Sequence, residues 1–407
     1  MKSSTWNRIK LTMRLGIAFV TVFACVAYPA FGGENGVCLP EGNPREVGMD
    51  PDALAEIRPA MERFVAQREI SGAVTMVVRK GRVVHHEAVG LADIELQIPM
   101  AKDTLFGIAS MTKPISATAL MILVDQGKVE LDDPVSKYLP EFAELKLGDK
   151  KPEREVTVRQ LLSHTAGFSG SQRTEETLEK TVAAIKDGGL SFEPGTRWAY
   201  SPGLTVCGRI VEVVSGRPFD RFLQENIFTP LQMNDTTFLP TEEQRKRTAR
   251  LYRKTDDGVL EPFASWIVDD AGARAPNPSA GLFSTAHDLA RFYQMILNGG
   301  ELCGKRILSS KAVAEMRRVQ TGEFTVGFTS GNAWGLGWCI VRDPQGVTQM
   351  LSPGTFGHGG AFGTQGWIDP RREMIFILLI QRAGLPNADE SAIRKTFQEI
   401  AVEAVSE

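Results

Sequence analysis

Apolar and polar positions change their spacing twice along the chain, and these changes predict three segments. In the first segment, apolar residues follow a helical spacing after Asp50-Pro51, a pair typical of a helix N-terminus. Two β-branched runs then flank Lys80-Gly81, which predicts a hairpin over residues 72–90. The first segment therefore contributes a helix and two strands.

Helical spacing dominates the second segment, from Ser110 to about residue 320. The stretch 110–128 is apolar nearly all round, which is typical of a buried helix. Further helices are predicted within 156–168, 204–228 and 284–300, the last with a Ser/Thr start and a Gly-Gly stop.

Strand patterns return in the third segment, at 333–341, 362–370 and 373–381, before a final helix at about 389–405. Strands at both ends with helices between them predict an α+β fold. One sheet would be built from both ends of the chain, with an all-helical region inserted between them.

The first 32 residues are predicted to be a secretory signal peptide. A basic region ends at Arg14, and the apolar run of 13 residues from Leu15 to Ala27 is too short to span a membrane. Small residues at Ala30 and Gly32 fit a cleavage site. We therefore expect a secreted or periplasmic protein, with an irregular lead-in at 33–48 and one catalytic domain over 49–407.

A lipid anchor at Cys25 is disfavoured, because Phe23 is bulky and the apolar run continues past the cysteine. No later stretch reaches 18 apolar residues, so we expect no membrane span after signal removal.

The composition is that of an ordinary globular protein, with 43% hydrophobic and 23% charged residues. The formal net charge is −3, and without the four basic residues of the signal it falls to about −7. A mildly acidic body without a Lys/Arg run does not favour binding to nucleic acid or to an anionic membrane.

Four cysteines remain after the signal: Cys38, Cys207, Cys303 and Cys339. Export permits disulfides, but a domain of this size does not need them, and we expect buried free thiols. The cysteine and histidine spacings are not those of a zinc site. His85 and His86 are adjacent on a predicted strand, so they point to opposite faces. We predict no metal and no other cofactor.

Ser110 is the only serine in the chain with a lysine three residues later, Lys113. Residues i and i+3 share a helix face, so the two side chains would be neighbours where a helix begins. A serine hydroxyl needs a base within hydrogen-bonding distance to act as a nucleophile, and burial lowers the pKa of a lysine enough to provide one. The spacing alone also fits a Ser110 that only caps the helix and a Lys113 whose amine extends to solvent.

Two further stretches strengthen the catalytic interpretation. Tyr200 follows a Pro-Gly turn and precedes a helix, where a tyrosine can pass a proton between nucleophile and leaving group. We expect a cationic lysine beside it to lower its pKa. His358 lies in the glycine-dense stretch 356–367, where backbone and ligand can approach closely and an N–H can face an oxyanion.

With these three motifs, "SMTK", "YSP" and "HGG", the chain resembles the serine β-lactamase and penicillin-binding protein superfamily. The resemblance covers residues 48–403 and favours the branch of class C β-lactamases, D-alanyl-D-alanine peptidases and family VIII carboxylesterases. It implies a β-lactamase-like fold, in which an antiparallel sheet with flanking helices carries the inserted helical region.

The resemblance also implies roles for individual residues. Ser110 would be the acylated nucleophile, and Lys113 and Tyr200 would act together as base and then acid. The N–H groups of Ser110 and of Ala361, which follows Gly360, would form the oxyanion hole. By the resemblance, His358 would bind or orient the substrate carboxylate or carbonyl, and it also fits a structural residue of its strand. Trp338 would line the pocket or belong to an aromatic core, and His164 is expected to hold its loop rather than to react.

Two departures from the family pattern bear on the substrate. Pro202 stands where the family has asparagine, and His358 stands where it has lysine. Both changes weaken the recognition of amides and carboxylates, so we expect an exported serine hydrolase that prefers small-molecule esters over amides and β-lactams. The alternatives are a D-alanyl-D-alanine carboxypeptidase, a class C-like β-lactamase, and a catalytically silent penicillin- or peptidoglycan-binding sensor.

Overall fold

A computed structural model describes residues 38–269 and 272–406. The predicted signal peptide, the cleavage site and Cys25 lie outside the described residues. No helix within them has both the length and the apolar character needed to cross a bilayer.

The described residues form fifteen strands and thirteen α-helices. The strands are β1 (Gly72–Arg79), β2 (Arg82–Asp93), β3 (Ile98–Pro99), β4 (Phe106–Gly107), β5 (Tyr252–Lys254), β6 (Leu260–Pro262), β7 (Phe283–Ser284), β8 (Glu301–Leu302), β9 (Lys305–Arg306), β10 (Asn332–Trp334), β11 (Cys339–Val341), β12 (Phe356–Gly359), β13 (Gln365–Asp369), β14 (Met374–Leu379) and β15 (Arg382–Ala383). The helices are α1 (Pro51–Ala55), α2 (Ile57–Ala66), α3 (Thr112–Asp125), α4 (Val158–Ser163), α5 (Leu178–Asp187), α6 (Gly203–Ser215), α7 (Phe219–Leu223), α8 (Thr229–Leu231), α9 (Glu242–Lys246), α10 (Trp266–Asp269), α11 (Ala286–Leu297), α12 (Ser310–Met316) and α13 (Ala392–Glu403).

Eight strands form one antiparallel sheet in the order β10-β11-β12-β13-β14-β1-β2-β3. The N-terminal hairpin pairs with the C-terminal strands through β1 and β14. The α+β prediction is therefore confirmed, as is the prediction of a sheet built from both chain ends. Helices α2 and α13 pack on one face of the sheet, and α11 packs on the other.

The hairpin turn at Lys80-Gly81 follows its sequence pattern. Both residues have positive φ, 48° and 72°, as a two-residue turn between twisted strands requires. The helix after Asp50 is also present, but it breaks at Glu56. Pro59 has no amide hydrogen to donate to the carbonyl of Ala55, which explains the division into α1 and α2.

Three expectations about the fold are corrected by the structure. The stretch 333–341 is not one strand: a turn separates β10 from β11, and its Gly337 packs so closely on α3 that a Cβ there would lie 2.4 Å from the Cβ of Ala117. The inserted region is not all helical, because it holds strands β5 to β9. These strands have only two or three residues each, too few to show a period.

The third correction concerns the cysteines. Cys38 and Cys303 form a disulfide that joins the lead-in to the turn between β8 and β9, with 5.5 Å between their Cα atoms. The two residues are 265 positions apart, and nothing in the sequence indicated that the fold brings them together. Cys207 and Cys339 are buried free thiols, as expected.

Candidate active site

Ser110 lies on a single 3₁₀ turn, Ala109–Met111, that leads directly into α3. Ala109 has a φ of 45°, a conformation that is strained for a residue with a side chain and that turns the chain sharply just before the serine. Ser110 itself is partly exposed, whereas every residue of α3 except Val124 and Asp125 is buried. The turn thus presents one hydroxyl at the edge of a rigid core.

Lys113 is one helical turn further on and is only 3% exposed. Its Nζ lies 3.4 Å from the Oγ of Ser110 and donates a hydrogen bond of 2.8 Å to the carbonyl oxygen of Ser279. Burial lowers the pKa of Lys113 to about 7, in agreement with the sequence argument. A substantial fraction of the amine is therefore neutral at pH 7 and can accept the proton of Ser110.

The ring of Tyr200 stands over this amine, with its centroid 4.5 Å from Nζ. Its hydroxyl is buried and makes no well-aligned hydrogen bond to any described residue. Burial raises the pKa of Tyr200, and the smaller effect of the nearby Ser110 hydroxyl does not reverse this. The expectation that Lys113 would lower this pKa is wrong, because desolvation dominates, and Tyr200 stays protonated.

His164 holds the loop that carries Tyr200. It ends α4 in the left-handed conformation, and the N–H of Ser201 donates to its Nδ1 at 3.2 Å. Nδ1 is therefore the acceptor nitrogen, and Nε2 carries the proton. The imidazole also lies 4.6 Å from the Tyr200 ring, centroid to centroid. His164 is fully buried and has the positioning role that the sequence predicted.

His358 lies on β12 and is 3% exposed. Its Nδ1 is 2.7 Å from the carbonyl oxygen of Gly359, which can only accept, so Nδ1 carries the proton. Burial lowers the pKa of His358 to about 3, with a smaller contribution from Lys113. The other nitrogen, Nε2, is then a buried acceptor with no partner among the described residues. In this tautomer His358 cannot donate a hydrogen bond from Nε2 to a carboxylate or to a carbonyl oxygen, which departs from its predicted role.

Gly360 and Ala361 follow β12 and pass close to the serine turn. A Cβ on Gly360 would lie 2.5 Å from the carbonyl oxygen of Ile108, so only glycine permits this approach. Ala361 is exposed, and neither its N–H nor that of Ser110 has an acceptor in the described part of the chain. Two unused donors beside the nucleophile are what an oxyanion hole requires.

Trp338 does not line the site. It is fully buried, stacks on Phe292 and meets Tyr293 and Phe356 edge to face. Trp338 therefore belongs to an aromatic core, which was the second of the two positions predicted for it.

The aromatic residues around Tyr200 are different ones, and the sequence analysis missed them. The ring centroid of Tyr200 lies 5.1–6.3 Å from the ring centroids of Trp198, Phe328 and Trp334. Trp198 could have been noticed two positions before Tyr200, but Phe328 lies on a remote loop that shows no recognisable pattern.

Ser279 was also missed as the partner of Lys113, because it contributes its main-chain carbonyl, and any residue type could supply that group. Its hydroxyl is fixed by Thr205 of α6, 2.8 Å between oxygens. Residues 38–269 and 272–406 contain no group of three acidic, histidine or cysteine side chains arranged to hold a metal. A cavity of about 600 Å³ lies elsewhere, lined by residues such as Phe238, Trp266 and Asn277 and by none of the candidate catalytic residues.

Comparison with known proteins is consistent with this geometry. A family model described as Beta-lactamase matches residues 57–399. Esterase EstB of Burkholderia gladioli is 31% identical over 84% of this chain and 94% of its own. Penicillin-binding protein 4 of Amycolatopsis lactamdurans is 34% identical over 75% and 79%. A putative D-alanyl-D-alanine carboxypeptidase of Escherichia coli K12 is 29% identical over 88% and 89%.

Among solved structures, EstCE1, a hydrolase with promiscuous acyltransferase activity, superposes with a TM-score of 0.75 at 26% identity. The superposition covers 86% of this chain and 98% of that one. A penicillin-binding protein homologue from Caulobacter crescentus gives a TM-score of 0.71 at 27% identity, over 87% and 99%.

Proposed function

This chain belongs to the Beta-lactamase family, and we propose that it is an exported serine hydrolase that cleaves esters through an acyl-enzyme on Ser110. The family and its esterase and carboxypeptidase-like relatives support a hydrolase acting on small-molecule esters or amides. The role of Ser110, the preference for esters and the export are parts of the proposal.

The observation that carries the proposal is the buried amine of Lys113 beside Ser110. With Ser279 as a fixed acceptor, a neutral Lys113 directs its lone pair towards the serine and takes the proton as the hydroxyl attacks the carbonyl carbon. The N–H groups of Ser110 and Ala361 stabilise the negative charge on the substrate oxygen. The tetrahedral intermediate then collapses to the acyl-enzyme and releases the alcohol.

Tyr200 remains a neutral phenol throughout the pH range in which Lys113 changes its charge. It is therefore placed to donate a hydrogen bond, and finally a proton, to the leaving oxygen, while Lys113 replaces the proton that Tyr200 gives up. Water then repeats the sequence with the acyl-enzyme, and Ser110 is restored.

Two residues support a preference for esters. Pro202 is the N-cap residue that precedes α6, and it has no side-chain amide to orient an amide substrate. His358 presents an acceptor nitrogen where a carboxylate would need a donor or a cation. A simple ester requires neither contact, whereas a peptide ending in D-alanine or a β-lactam has both groups.

The second candidate function is that of a D-alanyl-D-alanine carboxypeptidase or a class C-like β-lactamase. The similarity to the carboxypeptidase-like relatives over 88% of the chain favours it, and Pro202 and His358 oppose it. A silent sensor is less well supported, because a protein that only binds has no use for a buried amine beside a serine. The Cys38–Cys303 disulfide supports export, since disulfides persist in oxidising compartments.

One experiment tests the proposal directly. The purified protein is incubated with p-nitrophenyl acetate and butyrate, with nitrocefin and with a peptide ending in D-Ala-D-Ala, and the acylated residue is then located by mass spectrometry. We expect ester turnover and an acyl group on Ser110. An acyl group on another residue, or no turnover of any ester, would overturn the proposal.

A further inference from the structure

The edge of β12 beside His358 is open. β11 pairs only with Phe356 and Gly357 of this strand, so His358 and Gly359 have no strand neighbour on that side. The catalytic Tyr200 faces this edge, with its ring centroid 6.1 Å from that of His358. A leaving group that receives its proton from Tyr200 would therefore lie near these residues.

A carboxylate lies over Gly359, the residue that follows His358 on this strand. Asp389 Oδ1 is so close to Gly359 that a Cβ on this glycine would lie 1.8 Å from it. In the described chain Asp389 forms no salt bridge, and its side chain accepts one hydrogen bond, from Gln365 at 3.1 Å. Arg394, which is buried on Trp367, interacts electrostatically with Asp389 but donates its hydrogen bond to the main-chain oxygen of Asp389 rather than to the carboxylate.

The short turn that carries Asp389 also borders the aromatic residues at the entrance. Asn387 donates a hydrogen bond from its side chain to the carbonyl oxygen of Phe328. The Phe328 side chain is 46% exposed, and its ring meets Tyr200 edge to face at 5.1 Å. The exposed ring of Phe328 thus contacts Tyr200, and the turn that carries Asp389 is bonded to the Phe328 main chain. Asp389 is also within electrostatic range of Tyr200.

We infer that Phe328 and Asp389 form a leaving-group subsite that favours an alcohol bearing a positive charge, such as an ammonium alcohol, and rejects an anionic one. The carboxylate attracts a cation, and the face of an aromatic ring adds to that attraction. An anion would instead be repelled by the negative charge of Asp389. The inference rests on the proposed esterase function and specifies the substrate of the same site.

Three acetates of similar size test the inference on the intact protein. Acetylcholine carries a cation, 3,3-dimethylbutyl acetate is its uncharged counterpart, and 2-acetoxyethanesulfonate carries an anion. We expect kcat/KM to fall in that order, with a ratio of cation to anion on the order of tenfold or more at low salt. The ratio should shrink as salt is added, because the charges are screened.

Asp389→Asn keeps the shape and the acceptor for Gln365 but removes the charge. It should reduce the cation-to-anion ratio about tenfold, whereas Glu390→Gln, which removes the exposed neighbouring charge, should change it less than twofold. Phe328→Leu should reduce the advantage of acetylcholine over its uncharged counterpart. Thermal melts would show that the variants are folded.

The outcomes separate the two proposals. Equal rates for the three acetates, a preference for the anion, or equal effects of the two charge-removing variants would overturn the subsite while p-nitrophenyl acetate is still hydrolysed. If p-nitrophenyl acetate is not hydrolysed either and Ser110 is not acylated, the esterase proposal itself fails, and the subsite fails with it.

Discussion

Lys113 and His358 lie on opposite sides of the same site, one on α3 and one on the edge of β12. Both are 3% exposed, and burial lowers the pKa of both. The two lowered pKa values differ because the ordinary pKa of a lysine is much higher than that of a histidine. The pKa of Lys113 falls to about 7, where the amine becomes a usable base, whereas that of His358 falls to about 3, where the ring stays neutral.

The comparison shows that burial alone does not make a group catalytic. Desolvation brings a lysine into the range in which enzymes work, but it takes a histidine out of that range. In the proposed mechanism, the helical side of the site supplies proton transfer, and the sheet edge supplies shape, backbone donors and an acceptor. Substitutions on the two sides should therefore lower the reaction rate by different amounts and should differ in their effects on kcat, KM and the pH profile.

The largest effect is expected for Ser110→Ala. Loss of the nucleophile should lower kcat by roughly four orders of magnitude or more, with the melting temperature almost unchanged. Steady-state rates with p-nitrophenyl butyrate and a thermal melt would measure both. Ser169→Ala, at an exposed serine, is the control and should behave as the unmodified protein. Normal turnover by Ser110→Ala would refute the assignment of the nucleophile.

The next effect is expected for the proton-transfer pair. Lys113→Met and Tyr200→Phe should each lower kcat roughly 10²–10⁴-fold with little change in KM, because both side chains are proposed to transfer protons in the transition state. The double variant should lose far less than the product of the two losses, since each group needs the other. A loss confined to KM in either variant would show that the residue only binds substrate.

The same contrast explains what could be predicted from the sequence. Residue type and spacing were enough to predict Ser110, Lys113 and Tyr200 as candidates. The helix α3 and the 72–90 hairpin could be predicted because the first is a long apolar stretch and the second consists of two β-branched runs around Lys80-Gly81. The carbonyl of Ser279 and the N–H of Ala361 act through the main chain, so no residue type marks them.

Contacts between distant segments could not be predicted for a different reason. The Cys38–Cys303 disulfide and the approach of Asp389 to Gly359 depend on the whole fold. The direction of the Tyr200 pKa was wrong because the sequence suggests a charged neighbour but not the extent of burial. The sequence was thus enough to predict the candidate residues, whereas the balance of desolvation and charge that sets their pKa values could be determined only from the structure.

The pH dependence should separate Lys113 from His358. In the proposed mechanism the neutral amine of Lys113 is the active form, so we expect kcat/KM to rise with pH through a single ionisation near pH 7 and then level off. The groups around the amine do not titrate there: burial keeps His164 and His358 neutral, and Tyr200 stays protonated. His358→Gln should lower the rate but leave the midpoint in place. A midpoint that moved by a unit or more in this variant would show that the histidine ionises during turnover.

The smallest effect is expected for Pro202, and it concerns the relative kcat/KM for an ester and for a β-lactam. Since neither its side chain nor His358 can donate to a β-lactam, we expect kcat/KM for p-nitrophenyl acetate to exceed that for nitrocefin. Asparagine is a favoured residue where a helix begins, so Pro202→Asn should be tolerated at the start of α6. One restored hydrogen bond contributes roughly 0.5–1.5 kcal/mol, so the gap should narrow about twofold to tenfold. Pro230→Ala, at a proline in another helix, is the control and should leave the ratio unchanged. Faster turnover of nitrocefin by the unmodified protein would refute the ester preference while leaving the acyl-enzyme on Ser110 intact.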